Sequence, residues 1–272
     1  MKIIITGGSG QLGSELKKIM DDVHAFSGTE LDIRNIDTVY RVFWSIKPDV
    51  VIHCGAYTKV DECEKDPKKA YEINALGTRN IAEVCEFIKS IPVYISTAYV
   101  FDGNKNNPYN ETDVPNPINI YGRTKLIGEY FIRDYLEKYY VVRTSWLYGK
   151  NGDNIVNNIL MKIKEKKEIK AVYDQISSPT YAKDLAEAIK KLIMSGDYGV
   201  FHFCNTGYCS YYDIASKIIN YYMAYDIKIF SIKYEELNRI ALRPKNSSLN
   251  NNYSFIKLRD WEEALLDFLK EV

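Results

Sequence analysis

The stretch from Met1 to Gly13, MKIIITGGSGQLG, most constrains what this chain can fold into. A run of β-branched residues from Ile3 to Ile5 is typical of a short buried strand. Three glycines follow with the spacing G-x-x-G-x-x-G, at Gly7, Gly10 and Gly13. Apolar residues then recur at helical spacing, at Leu12, Leu16, Ile19 and Met20. The stretch therefore predicts a strand, a tight glycine turn and a helix.

The glycine turn suggests a ligand as well as a shape. Glycine tolerates positive φ and has no Cβ to keep a ligand away from the backbone. The helix that follows offers free N–H groups and a positive dipole end to a pyrophosphate. A merely structural turn can have the same spacing, but its position between this strand and this helix favours a dinucleotide. We predict that Gly7 to Gly13 bind NADPH or NADH.

Composition excludes several other classes of protein. A chain of 272 residues suffices for one large α/β domain or two unequal ones. The 36 basic and 36 acidic residues form no basic stripe, and no apolar run approaches a membrane span, so neither nucleic acid nor membrane is an expected partner. Five cysteines without a C-x-x-C pair, and Met1 leading directly into a core strand, predict a reduced cytoplasmic protein without a signal peptide. Three histidines without partner spacing predict no metal site.

Strand and helix patterns alternate through the first half of the chain. We predict strands at Val23–Phe26, Asp49–His53, Pro92–Ile95 and Tyr140–Thr144, and later at Ile169–Tyr173, Val200–Phe203 and Ile227–Ile232. Predicted helices span Val39–Ile46, Pro67 to about Lys89, a segment after Tyr121, about Asn154 to Lys166, a segment through Leu185 and Leu192, Ser210 to about Met223, and Trp261–Phe268. Residues 103–118, 174–180 and 243–249 are predicted loops or turns.

This order predicts an α/β fold, a Rossmann-type doubly wound parallel sheet with a smaller C-terminal substrate lobe, because the alternation fades after Tyr148. We assign residues 1–150 and about 171–205 to the NAD(P)-binding domain, and about 151–170 and 206–272 to the lobe.

Two features bear on how the cofactor is held. The second strand ends at Ser27 and Gly28, where NAD-selective folds usually place a carboxylate. Glu30 and Asp32 are displaced along the loop, so we expect no exclusion of a 2′-phosphate and only a modest preference between NADPH and NADH. The small-residue turn Cys54-Gly55-Ala56-Tyr57-Thr58 allows close approach of a cofactor.

Asn74 lies in the helix that follows this turn. Two alternatives are open for it: a polar residue at the surface, or a residue that holds a water or a backbone carbonyl.

A tyrosine and a lysine, Tyr121 and Lys125, are spaced i and i+4 and so share one helix face. A neighbouring cation favours phenolate, which predicts a lowered pKa for Tyr121 and a proton donor and acceptor that works near neutral pH. The hydroxyl groups of Ser96 and Thr97 lie at the carboxyl end of the fourth predicted strand, where parallel sheets usually carry their active-site residues. About two Y-x-x-x-K matches are expected by chance, and the other match, Tyr253 with Lys257, follows no predicted sheet strand.

Several longer stretches resemble the dTDP-4-dehydrorhamnose reductase family. This family is an extended branch of the short-chain dehydrogenases/reductases and takes part in dTDP-L-rhamnose synthesis. The stretches are TGGSGQLG, PDVVIHCGAYTKVDECE, STAYVFDG, YGRTK, RTSWLYG, DQISSPTYAKDLA and RPKNSSL. They run from Ile3 to Leu249. The glycine loop and the Tyr/Lys pair are shared by the whole superfamily, whereas VDECE, YVFDG, SPTYA and RPxxSSL are more specific.

The resemblance implies an NAD(P)H-dependent oxidoreductase that reduces the C4 ketone of a dTDP-4-keto-6-deoxy sugar. It implies catalytic roles for Thr97, Tyr121 and Lys125. The predicted cofactor contacts are Gly7, Gly10, Gln11, Leu12, Gly13, Asp32, Ile33, Gly55, Ala56, Tyr57, Tyr121 and Lys125. The predicted contacts with the nucleotide sugar are Val100, Phe101, Trp146 and Arg243. Arg243 and Lys245 either hold the diphosphate or belong to a solvated basic loop.

One departure from the family pattern concerns substrate choice. The family usually reads Ser-Thr-Asp-Tyr-Val-Phe-Asp, and here Ala98 replaces the first aspartate. We expect this to affect which keto-sugar fits more than the hydride chemistry. It also disfavours a nucleotide-sugar 4,6-dehydratase, which needs an acid pair after the active-site threonine.

An alternative from another class is an NADP-binding regulatory subunit, resembling the β subunit of methionine adenosyltransferase; the intact Thr97, Tyr121 and Lys125 favour the enzyme. We expect a monomer or homodimer. Relatives can pair through a divalent ion with an acidic residue at the position of Glu15. Since only that ligand is recognisable here, no metal is predicted.

Overall fold

The computed structural model describes residues 1–253 and 255–272. The strands are β1 (Ile3–Thr6), β2 (Val23–Phe26), β3 (Val50–His53), β4 (Ile91–Thr97), β5 (Tyr140–Thr144), β6 (Leu147–Tyr148), β7 (Ile169–Val172), β8 (Ile176–Ser177), β9 (Thr180–Tyr181), β10 (Gly199–His202), β11 (Cys209–Ser210), β12 (Ile229–Ile232) and β13 (Asn246–Ser247). The α-helices are α1 (Gln11–Ile19), α2 (Ile36–Ile46), α3 (Val60–Lys65), α4 (Pro67–Tyr71), α5 (Gly77–Ile88), α6 (Ile120–Tyr135), α7 (Ile155–Lys164), α8 (Ala182–Ser195), α9 (Tyr211–Tyr221) and α10 (Trp261–Lys270).

A six-stranded parallel sheet with the order β10-β5-β4-β3-β1-β2 forms the centre of the molecule. From β1 the chain moves outward to β2, returns to β3 on the other side of β1, and continues to β10. The direction of winding therefore reverses between β1 and β3, where such sheets open a crevice at their carboxyl edge. The predicted Rossmann-type fold is confirmed, and the predicted bounds of β2 and β5 match those observed.

Both faces of this sheet are covered, which explains the unbroken apolar strands. Ile3 and Ile5 pack in one apolar cluster with residues of α1 and α8, whereas Ile4 packs in another with residues of α2 and α5. All three isoleucines are buried. Because successive side chains of a strand point to opposite faces, the IIIT run serves both layers.

The predicted helix from Pro67 to about Lys89 is one helical run with an irregularity inside it. A π-helical segment, Glu72–Leu76, joins α4 to α5. Such single-turn π segments often occur at functional sites. The short helix α3, which precedes this run, is not predicted by the sequence.

The later part of the chain builds a second core beside the sheet. Residues of α7, α9 and α10 pack around Ile169 and Ala171 of β7. Ser210 caps α9 as predicted, through a capping box with Asp213. The predicted loops at 174–180 and 243–249 are wrong in part, because they contain β8, β13 and the first residue of β9. Each of these strands has two residues and pairs with a distant segment, so it leaves no periodic signal.

No helix of the described residues is long and apolar enough to cross a membrane.

Candidate active site

A cleft of about 980 Å³ opens at the carboxyl edge of the sheet, across the reversal between β1 and β3. The predicted site residues that line it are Gly7, Gly10, Gln11, Leu12, Gly13, Asp32, Ile33, Gly55, Ala56, Tyr57, Thr97, Tyr121, Lys125 and Trp146. The glycine turn after β1 forms one part of the wall. The ends of β4 and β5 and the start of α6 form the other.

At two positions of the glycine turn, the neighbouring backbone leaves no room for a side chain. Gly7 has φ of +70°, and a Cβ there would lie 2.7 Å from the amide nitrogen of Gly55. A Cβ on Gly13 would lie 2.5 Å from the carbonyl oxygen of Gly7. Both distances are too short for a Cβ, so this turn requires glycine at both positions. The cradle before the N-terminus of α1 fits a dinucleotide pyrophosphate.

The loop after β2 carries two carboxylates that are already hydrogen-bonded. Arg34 donates to both oxygens of Asp32, from Nε at 2.9 Å and Nη2 at 2.7 Å, and its guanidinium lowers the pKa of Asp32. The amide and hydroxyl of Ser27 both donate to Glu30 at 2.7 Å. Arg34 lines the cleft beside Asp32. A cation therefore stands next to the carboxylate where a 2′-phosphate or a 2′-hydroxyl is usually read.

Asn74, in the π-helical segment, holds the loop after β3 in place. Its Oδ1 accepts from the amide of Tyr57 at 2.7 Å, and its Nδ2 donates to the Tyr57 carbonyl and to Thr124 Oγ1, both at 3.1 Å. The side chain is almost completely buried. Of the two alternatives for Asn74, the structure confirms that it holds a backbone carbonyl. The wider turn of the π-helix presents this amide to the loop.

Tyr121 stands in the first turn of α6. Asn119 caps this helix by accepting from the amide of Gly122 at 2.7 Å. The ring of Tyr121 lies 6.0 Å from the ring of Tyr99 in an edge-on contact. Burial raises the pKa of Tyr121, although a hydrogen bond with Thr97 opposes the rise. The sequence spacing predicts a lowered pKa, and this prediction is wrong in direction because desolvation of the buried phenol dominates and Lys125 is not among the groups that shift it.

Lys125 lies one turn further along α6 and is deeply buried. Its Nζ donates to the carbonyl oxygen of Ile95 at 2.7 Å and lies 4.1 Å from the centroid of the Tyr94 ring. Burial lowers the pKa of Lys125 to about 7, while Glu129 acts in the opposite direction. Burial therefore disfavours the charged form of this lysine, and the nearby carboxylate favours it.

Three of the four predicted substrate residues, Val100, Phe101 and Arg243, are not among the residues that line the cleft. The side chains of Val100 and Phe101 are fully buried in an apolar cluster, where Phe101 stacks on Tyr109 with centroids 4.2 Å apart. A short 3₁₀ turn, Ala98–Val100, directs them inward. Ala98 lies in the same cluster. Its side chain therefore packs in the core, and the effect of this position on the choice of keto-sugar stays a prediction.

Arg243, the fourth predicted substrate residue, lies in the C-terminal part of the chain and is paired with a residue of the first part. Its Nη1 and Nη2 donate to the two carboxylate oxygens of Asp61 in α3, at 2.6 and 2.8 Å. These hydrogen bonds hold the pKa of Asp61 well below its usual range.

The second Y-x-x-x-K match lies outside the cleft lining. Tyr253 packs on Phe201 and donates a hydrogen bond to Asp197.

Sequence reasoning missed three residues at this site: Arg34, Tyr99 and Asp61. Arg34 and Tyr99 line the cleft, and Asp61 holds Arg243. Tyr99 lies within the STAYVFDG stretch and Asp61 within the VDECE stretch. These motifs therefore include both residues but do not indicate their roles.

Comparisons with known proteins point in one direction. A family model described as the RmlD substrate binding domain matches residues 1–272. The chain is 39% identical to the spore coat polysaccharide biosynthesis protein SpsK of Bacillus subtilis, over 99% of this chain and 97% of that protein. It is 35% identical to a dTDP-4-dehydrorhamnose reductase of Aggregatibacter actinomycetemcomitans, over 97% of each. A crystal structure of dTDP-4-dehydrorhamnose reductase from Bacillus anthracis with NADP is similar over 100% of both chains, with a TM-score of 0.96 and 43% identity.

Proposed function

This chain belongs to the dTDP-4-dehydrorhamnose reductase family, and from that premise we propose that it transfers a hydride from NADPH or NADH to the C4 ketone of a dTDP-4-keto-6-deoxy sugar. The substrate we assign is dTDP-4-dehydrorhamnose, and the product is dTDP-L-rhamnose. One observation carries the proposal: Thr97, Tyr121 and Lys125 line the same cleft as the glycine cradle.

The cofactor's contribution is the hydride, and the protein's is the proton and the geometry. Tyr121 gives its phenolic proton to the oxygen on C4 as the carbon–oxygen double bond becomes a single bond. Its raised pKa keeps the phenol protonated at neutral pH, as a general acid requires. Thr97 donates a hydrogen bond to the same oxygen. Donors fixed in advance at a developing oxyanion usually give the largest catalytic effect.

Lys125 has two tasks in this proposal. Its ammonium binds the ribose hydroxyls of the cofactor, and its positive charge stabilises the Tyr121 phenolate once the proton has left. A solvent proton then restores the phenol. Burial disfavours the charged form that these tasks need, by lowering the pKa of Lys125 to about 7, and the Glu129 carboxylate favours it.

The remaining roles follow the two parts of the fold. We assign the cofactor to residues 1–150 and about 171–205 and the nucleotide sugar to about 151–170 and 206–272, with Trp146 at their junction. Arg243 is the proposed partner of the diphosphate, because a guanidinium suits bidentate binding of phosphate oxygens. The protein acts in the cytoplasm as a monomer or homodimer.

The test is oxidation of NADPH in the presence of dTDP-4-dehydrorhamnose, with the nucleotide-sugar product identified by mass spectrometry. We expect substrate-dependent consumption of NADPH and formation of dTDP-L-rhamnose. Tight binding of NADPH without turnover of the keto-sugar would instead favour a regulatory subunit that retains the dinucleotide site.

A further inference from the structure

Three groups of one C-terminal loop converge on a single carboxylate of the first domain. Asp61, in α3, accepts the two-pronged Arg243 guanidinium at 2.6 and 2.8 Å and the amide of Ala241 at 3.0 Å. Arg239 adds a longer contact from Nη1 at 3.3 Å. These partners lie about 180 residues away in the chain. One aspartate therefore fixes the position of the loop 239–243.

The same loop is fastened to the start of the catalytic helix. Asn119 donates from Nδ2 to the carbonyl of Leu242 at 2.8 Å while its Oδ1 caps α6. Glu64, one turn after Asp61 in α3, accepts from the amide of Ile120 at 2.7 Å. Helix α3 thus holds both the arginine loop and the helix that presents Tyr121.

Arg243 lies beside the cleft: Val60, which precedes its partner Asp61 in the chain, lines the cleft, and so does Tyr99. Burial raises the pKa of Tyr99, and the Arg243 charge opposes that rise, so the two side chains are close enough to interact. The Tyr99 ring in turn contacts the ring of Tyr121. Only 12% of the Arg243 side chain is exposed. The guanidinium is therefore oriented by Asp61 and largely desolvated, and it acts on Tyr99, a residue of the cleft lining.

The contacts of Arg243 do not use all its hydrogen-bonding capacity. Among the described residues, Nη1 donates to Asp61 and to the Ala241 carbonyl, and Nη2 donates to Asp61. An arginine has five N–H donors. Asp61 therefore orients the guanidinium without occupying every donor, and the remaining N–H groups are available to an anion.

We propose that Asp61 is a positioning residue for the nucleotide sugar: it holds Arg243, with Arg239 beside it, in the orientation that receives the diphosphate. The inference rests on the proposed function for the identity of that ligand. Fixing a side chain before binding removes the cost of ordering it on binding. Asp61 acts through Arg243 and need not touch the reacting atoms.

The test uses Asp61→Asn, which keeps the shape of the side chain and an acceptor for Ala241 but loses the charge that holds the guanidinium. Calorimetric titration with dTDP measures binding at this end of the cleft, and titration with NADPH measures the rest of the cleft. We expect the Kd for dTDP and the KM for the keto-sugar to rise about 10–100-fold. The Kd for NADPH and kcat should stay within about twofold, since Asp61 acts on diphosphate binding.

Two further variants separate positioning from a general structural role. Glu62→Gln is the matched control, because Glu62 lies on the same helix and pairs with Lys65 at the surface; it should bind dTDP like the wild type. In an Arg243→Met background, Asp61→Asn should cause almost no further loss of dTDP affinity, because its effect passes through Arg243.

Some results would contradict the role of Asp61, and one would contradict the proposed function alone. Unchanged or tighter dTDP binding in Asp61→Asn would overturn the inference, the tighter result by showing that Asp61 competes with the diphosphate. Fully additive losses in the double variant, or equal losses of NADPH and dTDP affinity, would also overturn it. A wild type that binds dTDP but fails to reduce the keto-sugar would overturn the proposed function alone, and a weaker dTDP complex in Asp61→Asn would still support positioning.

Discussion

Glu129 of α6 and Arg143 of β5 form a buried two-pronged ion pair. Arg143 Nε and Nη2 donate to the two Glu129 oxygens at 2.9 and 2.7 Å, and both side chains are at most 3% exposed. Ser96, which precedes Thr97 in β4, also donates to Glu129. The pair therefore joins α6, β4 and β5, the three elements that carry or support the proposed catalytic residues.

Removing one member of this pair leaves the other charge buried alone. We expect Glu129→Ala to lower the free energy of unfolding by about 3–5 kcal/mol. Urea denaturation followed by circular dichroism measures it. Glu86→Ala is the control, because Glu86 pairs with Lys89 at the surface, and such pairs contribute about 0–1 kcal/mol. A loss in Glu129→Ala no larger than in the control would show that the buried pair is not needed.

Arg34 is expected to influence the relative affinity of the protein for NADPH and NADH. Because it neutralises Asp32 at the edge of the cleft, we expect the wild type to bind NADPH and NADH with a modest preference between them. Arg34→Ala should weaken NADPH about tenfold more than NADH, since only NADPH carries the 2′-phosphate. Fluorescence titration with each cofactor measures this. A wild-type preference for NADH of about a hundredfold would mean that Asp32 binds the ribose itself.

The low pKa of Lys125 makes stability depend on pH. Burial lowers this pKa from 10.5 to about 7. Below about pH 7 the lysine is protonated in both states, and the cost of burying its charge opposes folding. At higher pH the folded protein releases the proton while the unfolded chain keeps it, so stability rises.

Comparison with Lys125→Met isolates this effect from other titrating groups. We expect the free energy of unfolding of the wild type, relative to this variant, to increase between about pH 7 and pH 9 by up to about 1.4 kcal/mol per pH unit. Urea denaturation at several pH values provides the data. A difference that stays constant across this range would contradict a pKa near 7.

Some of the site could be predicted because its signal is local in the sequence. The cradle from Gly7 to Gly13 is one strand, one turn and one helix, and sterics at both glycines leave little choice of residue. Tyr121 and Lys125 share a helix face by spacing alone. For Asn74 the sequence leaves two alternatives, and the coordinates separate them through its hydrogen bonds with Tyr57.

Other features depend on contacts that no local pattern records. Asp61 and Arg243 meet from positions 182 residues apart, and the periodicity of neither segment indicates that meeting. Val100 and Phe101 follow an active-site strand, but a short turn sends them into the core. The direction of the pKa shift of Tyr121 depends on burial, which is set by the elements packed around it and cannot be inferred from the spacing to Lys125.

The chance match supplies a control for the central claim. Tyr253→Phe removes a hydroxyl that donates to Asp197, outside the cleft lining. We expect this variant to retain nearly the wild-type rate of keto-sugar reduction. Lys125→Met should lower both turnover and NADPH affinity, because Lys125 is assigned a ribose contact as well as its effect on the phenol.

The most direct test of the account is the single-turnover rate of NADPH oxidation by Tyr121→Phe with saturating dTDP-4-dehydrorhamnose. This variant loses one oxygen and keeps the ring that contacts Tyr99, so folding and NADPH affinity should survive. If the phenol is the general acid, the rate should fall about 10²–10⁴-fold, while Tyr253→Phe stays near the wild type. A wild-type rate in Tyr121→Phe would contradict the assignment of the proton donor and the mechanism built on it.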